Sequence, residues 1–143
     1  LESGFPLIGY RSVAKNLELT ADNAEDIGNI ALDAKNNTLD VDGSTMRRIR
    51  EFTDQVDEIT VTAVEAVVER DYDKAIAVGR MYEEITDREM ELIRSLPDMP
   101  KVELLRTREV LVSLQQTAQY AMRNAEIAAN LALNEESEHV TIE

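Results

Sequence analysis

Apolar residues recur along this chain at alternating steps of three and four, the spacing of helices that bury one face. Breakers cluster at Gly4–Pro6, Gly43 and Pro97–Pro100. The polar stretch 36–45 ends in residues suited to cap a helix, and Arg70-Asp71-Tyr72-Asp73 marks a tight break in which Asp71 or Asp73 caps the next helix. The spacing predicts four helices at about 8–36, 45–70, 72–96 and 101–134. The fold class is therefore all-α, an antiparallel helical bundle.

The second predicted helix has a seam of Ile49, Phe52, Val56, Ile59, Ala63 and Ala66. The third runs less cleanly through Ala75, Val78, Tyr82, Ile85, Leu92 and Leu96. In the first, the positions are Ala14, Leu17, Ala21, Ala24, Gly28 and Ala31; ninety-seven residues later, in the fourth, they are Leu111, Leu114, Ala118, Ala121, Ala125 and Ala128. The same offset matches Thr20 with Thr117 and Ile30 with Ile127, which points to an internal repeat. Helices 2 to 4 then form one three-helix unit, and helix 1 is the last helix of a preceding unit. The small seam residues predict a close helix approach at Ala24 and Gly28.

Composition narrows the chemistry. The 143 residues carry 15 Lys+Arg against 29 Asp+Glu, a net charge of −14, so nucleic acid and anionic membranes are poor partners. Eleven of the cations are Arg and four are Lys, as in a salt-adapted (halophilic) surface; a specific cationic partner is the other reading. No apolar run reaches membrane-span length, so no membrane insertion is expected, and a soluble cytoplasmic protein is. Leu1 to Pro6 read like the middle of a longer chain.

With no cysteine, thiolate sites and Cys nucleophiles are excluded. The one histidine, His139, lies in the acidic tail 135–143, a poor place for a catalytic triad. A di-metal oxygenase needs a Glu-x-x-His motif from each of two helices. No Walker A or Gly-x-Gly-x-x-Gly loop is present. Glu18, Asp22 and Asp26 recur every four residues beside the small-residue seam. Like charges so spaced oppose one another, and a hard or borderline cation would relieve them. A solvated acidic face is the competing reading. At the repeat offset these acids become Gln115, Gln119 and Arg123, poor company for a metal. Helix 4 alone is net basic, holding Lys101, Arg106, Arg108 and Arg123 against Glu103, Glu109 and Glu126, which leaves a docking surface there as an option.

Tyr10 to Glu18, running into Ala21 to Ile27, resembles the signature helix of the PhoU phosphate-uptake regulator family, with Glu18 and Asp22 matching its Glu-x-x-x-Asp motif. Ala66 to Ala75 is similar to the family's turn between the first two helices of a repeat, and Ile85 to Arg88 with Leu92 to Arg94 to the following helix. Ser113 to Tyr120 with Ala125 to Ala128 is similar to a second signature helix with its acids replaced. The resemblance implies a non-catalytic adaptor, not an enzyme, that restrains phosphate uptake and phosphate signalling. Its implied partners are a phosphate transporter ATPase or a phosphate-sensing signalling protein. It also implies iron or zinc at Glu18 and Asp22; with Asp26 added from the four-residue spacing, the expected metal ligands are Glu18, Asp22 and Asp26, and the expected ion is iron, zinc, manganese or magnesium. Gln115 and Gln119 depart from that motif in the second signature helix. Some salt-adapted archaeal members carry an N-terminal DNA-binding domain.

The expected organisation is a final repeat helix over 1–37, a PhoU-like three-helix repeat over 44–134 and a frayed acidic tail over 135–143. A homodimer is expected, because the small seam of helix 1 needs cover. The rival readings are a purely structural dimerisation bundle and a metal-dependent hydrolase or oxygenase.

Overall fold

The computed structural model describes residues 4–37 and 40–140, which form four helices: α1 (Gly4–Asn36), α2 (Gly43–Glu69), α3 (Tyr72–Arg94) and α4 (Lys101–Val140). The all-α bundle is as expected, and no strand occurs among the described residues. Pro6 falls within the first turn of α1, where a missing N–H leaves no bond unmade, so the helix starts ahead of the predicted residue 8.

Local chemistry sets the ends. Asp42 caps α2 by accepting from the backbone N–H groups of Ser44 and Thr45, both at 3.0 Å. That helix ends with Arg70 in the left-handed region (φ 51°, ψ 43°). The Arg70 N–H bonds the Val67 carbonyl and the Asp71 N–H that of Ala66, the paired bonds of a Schellman turn. Asp71 then caps α3 by accepting from the Lys74 N–H at 2.9 Å. The second capping alternative, Asp73, lies inside the first turn of α3.

The core is where α2, α3 and α4 meet. Phe52, Val56, Ile59, Ala63 and Ala66 face Val78, Ile85 and Leu92, and the α4 seam Leu111, Leu114, Ala118, Ala121, Ala125 and Ala128 closes it. These seams are buried as their spacing predicts, with Ile49 and Tyr82 partly buried at the rim, except that α3 ends at Arg94 and leaves the predicted Leu96 beyond the helix, partly buried. The acidic tail differs from expectation. Residues 135–140 continue α4 as helix, exposed throughout, with Glu135 paired to Arg70 at 3.5 Å.

Helix α1 departs further. Of the other three helices it packs against α4 alone. Its predicted seam is not its buried face: Ala14, Leu17, Ala21, Ala24, Gly28 and Ala31 are all exposed, and nothing lies within 4 Å of a Cβ built on Gly28. The face against α4 is Val13, Asn16, Thr20, Asn23, Ile27 and Ile30, buried or partly buried. That stripe has the same three-four rhythm one residue earlier, a rotation of about 100°. That rotation is decided by partners on α4, which include buried polar groups as well as apolar side chains.

Candidate functional site

The interface between α1 and α4 is built on amides. Asn16 Nδ2 donates to Asn124 Oδ1 at 2.8 Å, and Asn23 Nδ2 donates to Thr117 Oγ1 at 3.3 Å. All four residues are buried, Asn124 to 1% exposure. Val13, Ile27, Ile127 and Leu131 fill the space around them. At one end the helices come close enough that a Cβ on Gly9 would meet Ile127 Cγ2 at 3.1 Å.

Arginines hold both ends. Near the start of α1, the Arg70 guanidinium donates to Tyr10 Oη at 3.2 and 3.3 Å while pairing with Glu135, and these contacts raise its pKa, the Tyr10 hydrogen bond most. Near the other end, Arg106 pairs with Asp33 at 2.9 Å and with Glu109 at 3.0 Å, and its pKa is likewise raised, most by the Glu109 hydrogen bond. None of these contacts was visible in the apolar pattern. A signal was present, since Asn16 and Asn23 stand seven apart on the same stripe as Val13, Thr20 and Ile27.

The register of this pair reveals a symmetry. Moving from Asn16 to Asn23 on α1 moves from Asn124 back to Thr117 on α4, so the helices are antiparallel. Facing positions coincide with the ninety-seven-residue offset between Ala21/Asp22 and Ala118/Gln119. About that point the antiparallel register places α1 residues and their sequence counterparts on α4 at equal distances on opposite sides. The α4 seam covers the α2–α3 hairpin, and its α1 counterpart, turned the equivalent way, is bare.

The acidic stripe lies on α1 away from the buried stripe. Glu18, Asp22 and Asp26 are all exposed, with Lys15 Nζ 3.5 Å from Glu18. They form a row along successive turns. Among the described residues no three His, Cys, Asp or Glu side chains gather as a metal ion requires. A hard cation takes six or more oxygens, and a row on one helix offers one or two carboxylates to any single ion. The α4 counterpart of Glu18 is spent on packing: Gln115 Nε2 lies 3.4 Å from both Tyr82 Oη and Thr86 Oγ1 of α3. Arg123, the counterpart of Asp26, lies with its guanidinium 5.6 Å from the Tyr120 ring centroid.

His139 lines an open cavity of about 470 Å³ with Arg70, Asp71, Asp73, Glu135 and Glu136. A second cavity, of about 640 Å³, runs between α1 and α4 along Asp26, Ile30, Leu105, Arg108, Glu109 and Val112. No described helix is long and apolar enough to cross a membrane. Set beside known protein families, curated proteins and solved structures, the chain matches none of them.

Proposed function

We propose that this chain is a non-catalytic adaptor that restrains phosphate uptake and phosphate signalling by docking to a transporter ATPase or a phosphate-sensing protein. The observation that carries the docking part is the state of α1. Its outward face repeats the α4 face that buries the α2–α3 hairpin, yet Leu17, Ala21, Ala24 and Gly28 stand exposed. Leu7, at 63% exposure and seven residues before Ala14, extends the apolar surface towards the helix start. An apolar face of this length on a protein carrying −14 is a surface made to be covered. The phosphate part rests on the resemblance of the α1 and α4 sequences to PhoU signature helices.

In this reading the mechanism is occupancy. The bundle covers a surface that the transporter or sensor needs, and no bond is made or broken. A metal is dispensable to it, since the acidic row sits apart from the bare face.

The test is disruption of the gene in its source organism, with phosphate uptake followed at high external phosphate. Derepressed uptake, restored by the parent but not by an Ala24→Glu variant, is the expected result. Uptake that stays repressed without the gene overturns the phosphate reading. The bare face also favours a second reading, a structural dimerisation bundle. That reading predicts a tight dimer in sedimentation equilibrium, broken by Ala24→Glu, with no effect on uptake.

A further inference from the structure

We infer that the bare α1 face is covered by two antiparallel helices of a different protein, which set basic side chains against the flank formed by Glu18, Asp22 and Glu25. The inference rests on the docking reading of that face and names its occupant.

The shape of the occupant follows from α4. The two helices of the α1–α4 pair turn equivalent positions to each other. On α4, Thr117, Asn124 and Ile127 meet Asn23, Asn16 and Gly9 of α1; ninety-seven residues earlier, Thr20, Ile27 and Ile30 are partly buried on the stripe that faces α4. The two seams are therefore equivalently placed, and they match in size: Leu17 with Leu114, Ala21 with Ala118, Ala24 with Ala121 and Gly28 with Ala125. The α4 seam is closed by two helices, α2 and α3, held antiparallel by the pairs Glu51–Arg88 and Glu65–Lys74. The α1 seam, widened by Leu32 at 60% exposure, presents the same surface with nothing on it.

The charge of the occupant follows from the flank. Where α3 passes α4 the contacts at the equivalent positions are neutral. Gln115 Nε2 lies 3.4 Å from Tyr82 Oη and Thr86 Oγ1, and Met122 Cε lies 3.8 Å from a Cβ built on Gly79. On α1 the counterparts of Gln115, Gln119 and Met122 are Glu18, Asp22 and Glu25, all exposed. Lys15 lies 3.5 Å from Glu18, Arg11 stands earlier on the helix and Lys35 follows the seam, so the cations of α1 sit towards the two ends of the face. In its middle, Asp22 and Glu25 have no ion-pair partner among the described residues. Covering them strips water from two carboxylates, and cationic side chains on the occupant offset that loss. A second copy of the chain fits poorly. Its α2–α3 hairpin is already taken by its own α4, and its bare α1 face would bring a second acidic flank against the first, a juxtaposition that works against binding.

The probe is a labelled peptide with the sequence of residues 43–95, the α2–α3 hairpin, carrying Gly79→Lys and Thr86→Lys. These positions meet Met122 and Gln115 on α4, and hence Glu25 and Glu18 on α1. Its comparator carries Gly79→Glu and Thr86→Glu. Titrated with the full chain and followed by fluorescence anisotropy at moderate salt, the lysine hairpin is expected to bind at least tenfold more tightly than the glutamate hairpin. Glu18→Gln with Glu25→Gln in the chain should abolish that preference. Ala24→Phe, at an exposed seam position, should weaken the lysine hairpin at least tenfold through size alone, and circular dichroism verifies that each variant is folded. Equal binding of the two hairpins, no binding of either, a preference that persists in the glutamine variant, or binding indifferent to Ala24→Phe overturns the inference. So does a dimer of the chain that Glu18→Gln with Glu25→Gln tightens, because the face would then belong to a second copy. The docking reading fails by a separate result, an Ala24→Glu variant that restores repression of uptake as fully as the parent.

Discussion

Removing one amide of the Asn16–Asn124 pair should loosen α1 without unfolding the rest. The bond is 2.8 Å long between residues at 9% and 1% exposure, and α1 contacts no helix except α4. In Asn124→Ala the Asn16 amide keeps its burial and loses its partner, a change that costs about 1–3 kcal/mol. At 1.4 kcal/mol per factor of ten, that is a roughly 5- to 150-fold rise in the population with α1 undocked. Hydrogen exchange reads this population directly: amides of α1 should exchange faster by that factor while those of Phe52 to Ala63 in α2 keep their protection. Replacing both partners, Asn16→Leu with Asn124→Leu, removes the orphan and should return α1 exchange close to the parent rate. Two results would refute the reasoning. One is α1 exchange unchanged in Asn124→Ala. The other is a double variant in which the two single losses simply add, since uncoupled residues are not a pair.

The glycines of α1 give opposite outcomes by position. Gly9→Leu drives a side chain into Ile127 and Leu131 and should destabilise by about 1–3 kcal/mol, whereas Gly28→Leu meets nothing within 4 Å and should be neutral or stabilising through helix propensity. Thermal melts decide, and a destabilised Gly28→Leu shows that the bare face is covered in solution. Two carboxyls give opposite pH responses. Burial raises the pKa of Glu89, so its ionisation opposes folding, and the penalty disappears as pH falls through the raised value. Glu89→Gln should therefore melt above the parent at pH 7 and with it below about pH 4. Asp42 is held below its ordinary value by hydrogen bonds, that from the Thr45 hydroxyl foremost, so its contribution is present above the ordinary aspartate range and lost below it. Asp42→Asn should remove the part of acid sensitivity that Asp42 supplies, seen as a flatter melting profile below about pH 4.

The helices themselves were legible in the chain because their determinants are local. Pro97 and Pro100, the capping aspartates and the three-four spacing of Phe52, Val56, Ile59 and Ala63 act within a few residues. The α4 seam was readable as one apolar face for the same reason, and that face is the one buried against the α2–α3 hairpin. What the tail does was less so: Glu135 to Val140 lack an apolar stripe, and the helix persists there as an extension of α4, with Glu135 held to Arg70.

The rotation of α1 was decided only by the tertiary structure. Two adjacent stripes on that helix have the same rhythm, one rich in alanine and one carrying Asn16, Thr20 and Asn23. A pattern of apolar positions ranks the alanine stripe first, because an asparagine alone is a polar group with a desolvation penalty. Facing Asn124 and Thr117, more than ninety residues away in sequence, the same amides are satisfied, and the polar stripe becomes the buried one. Hydrogen bonds between distant residues have no local signature, so the chain by itself determined that α1 is a helix, and the fold decided which way it faces.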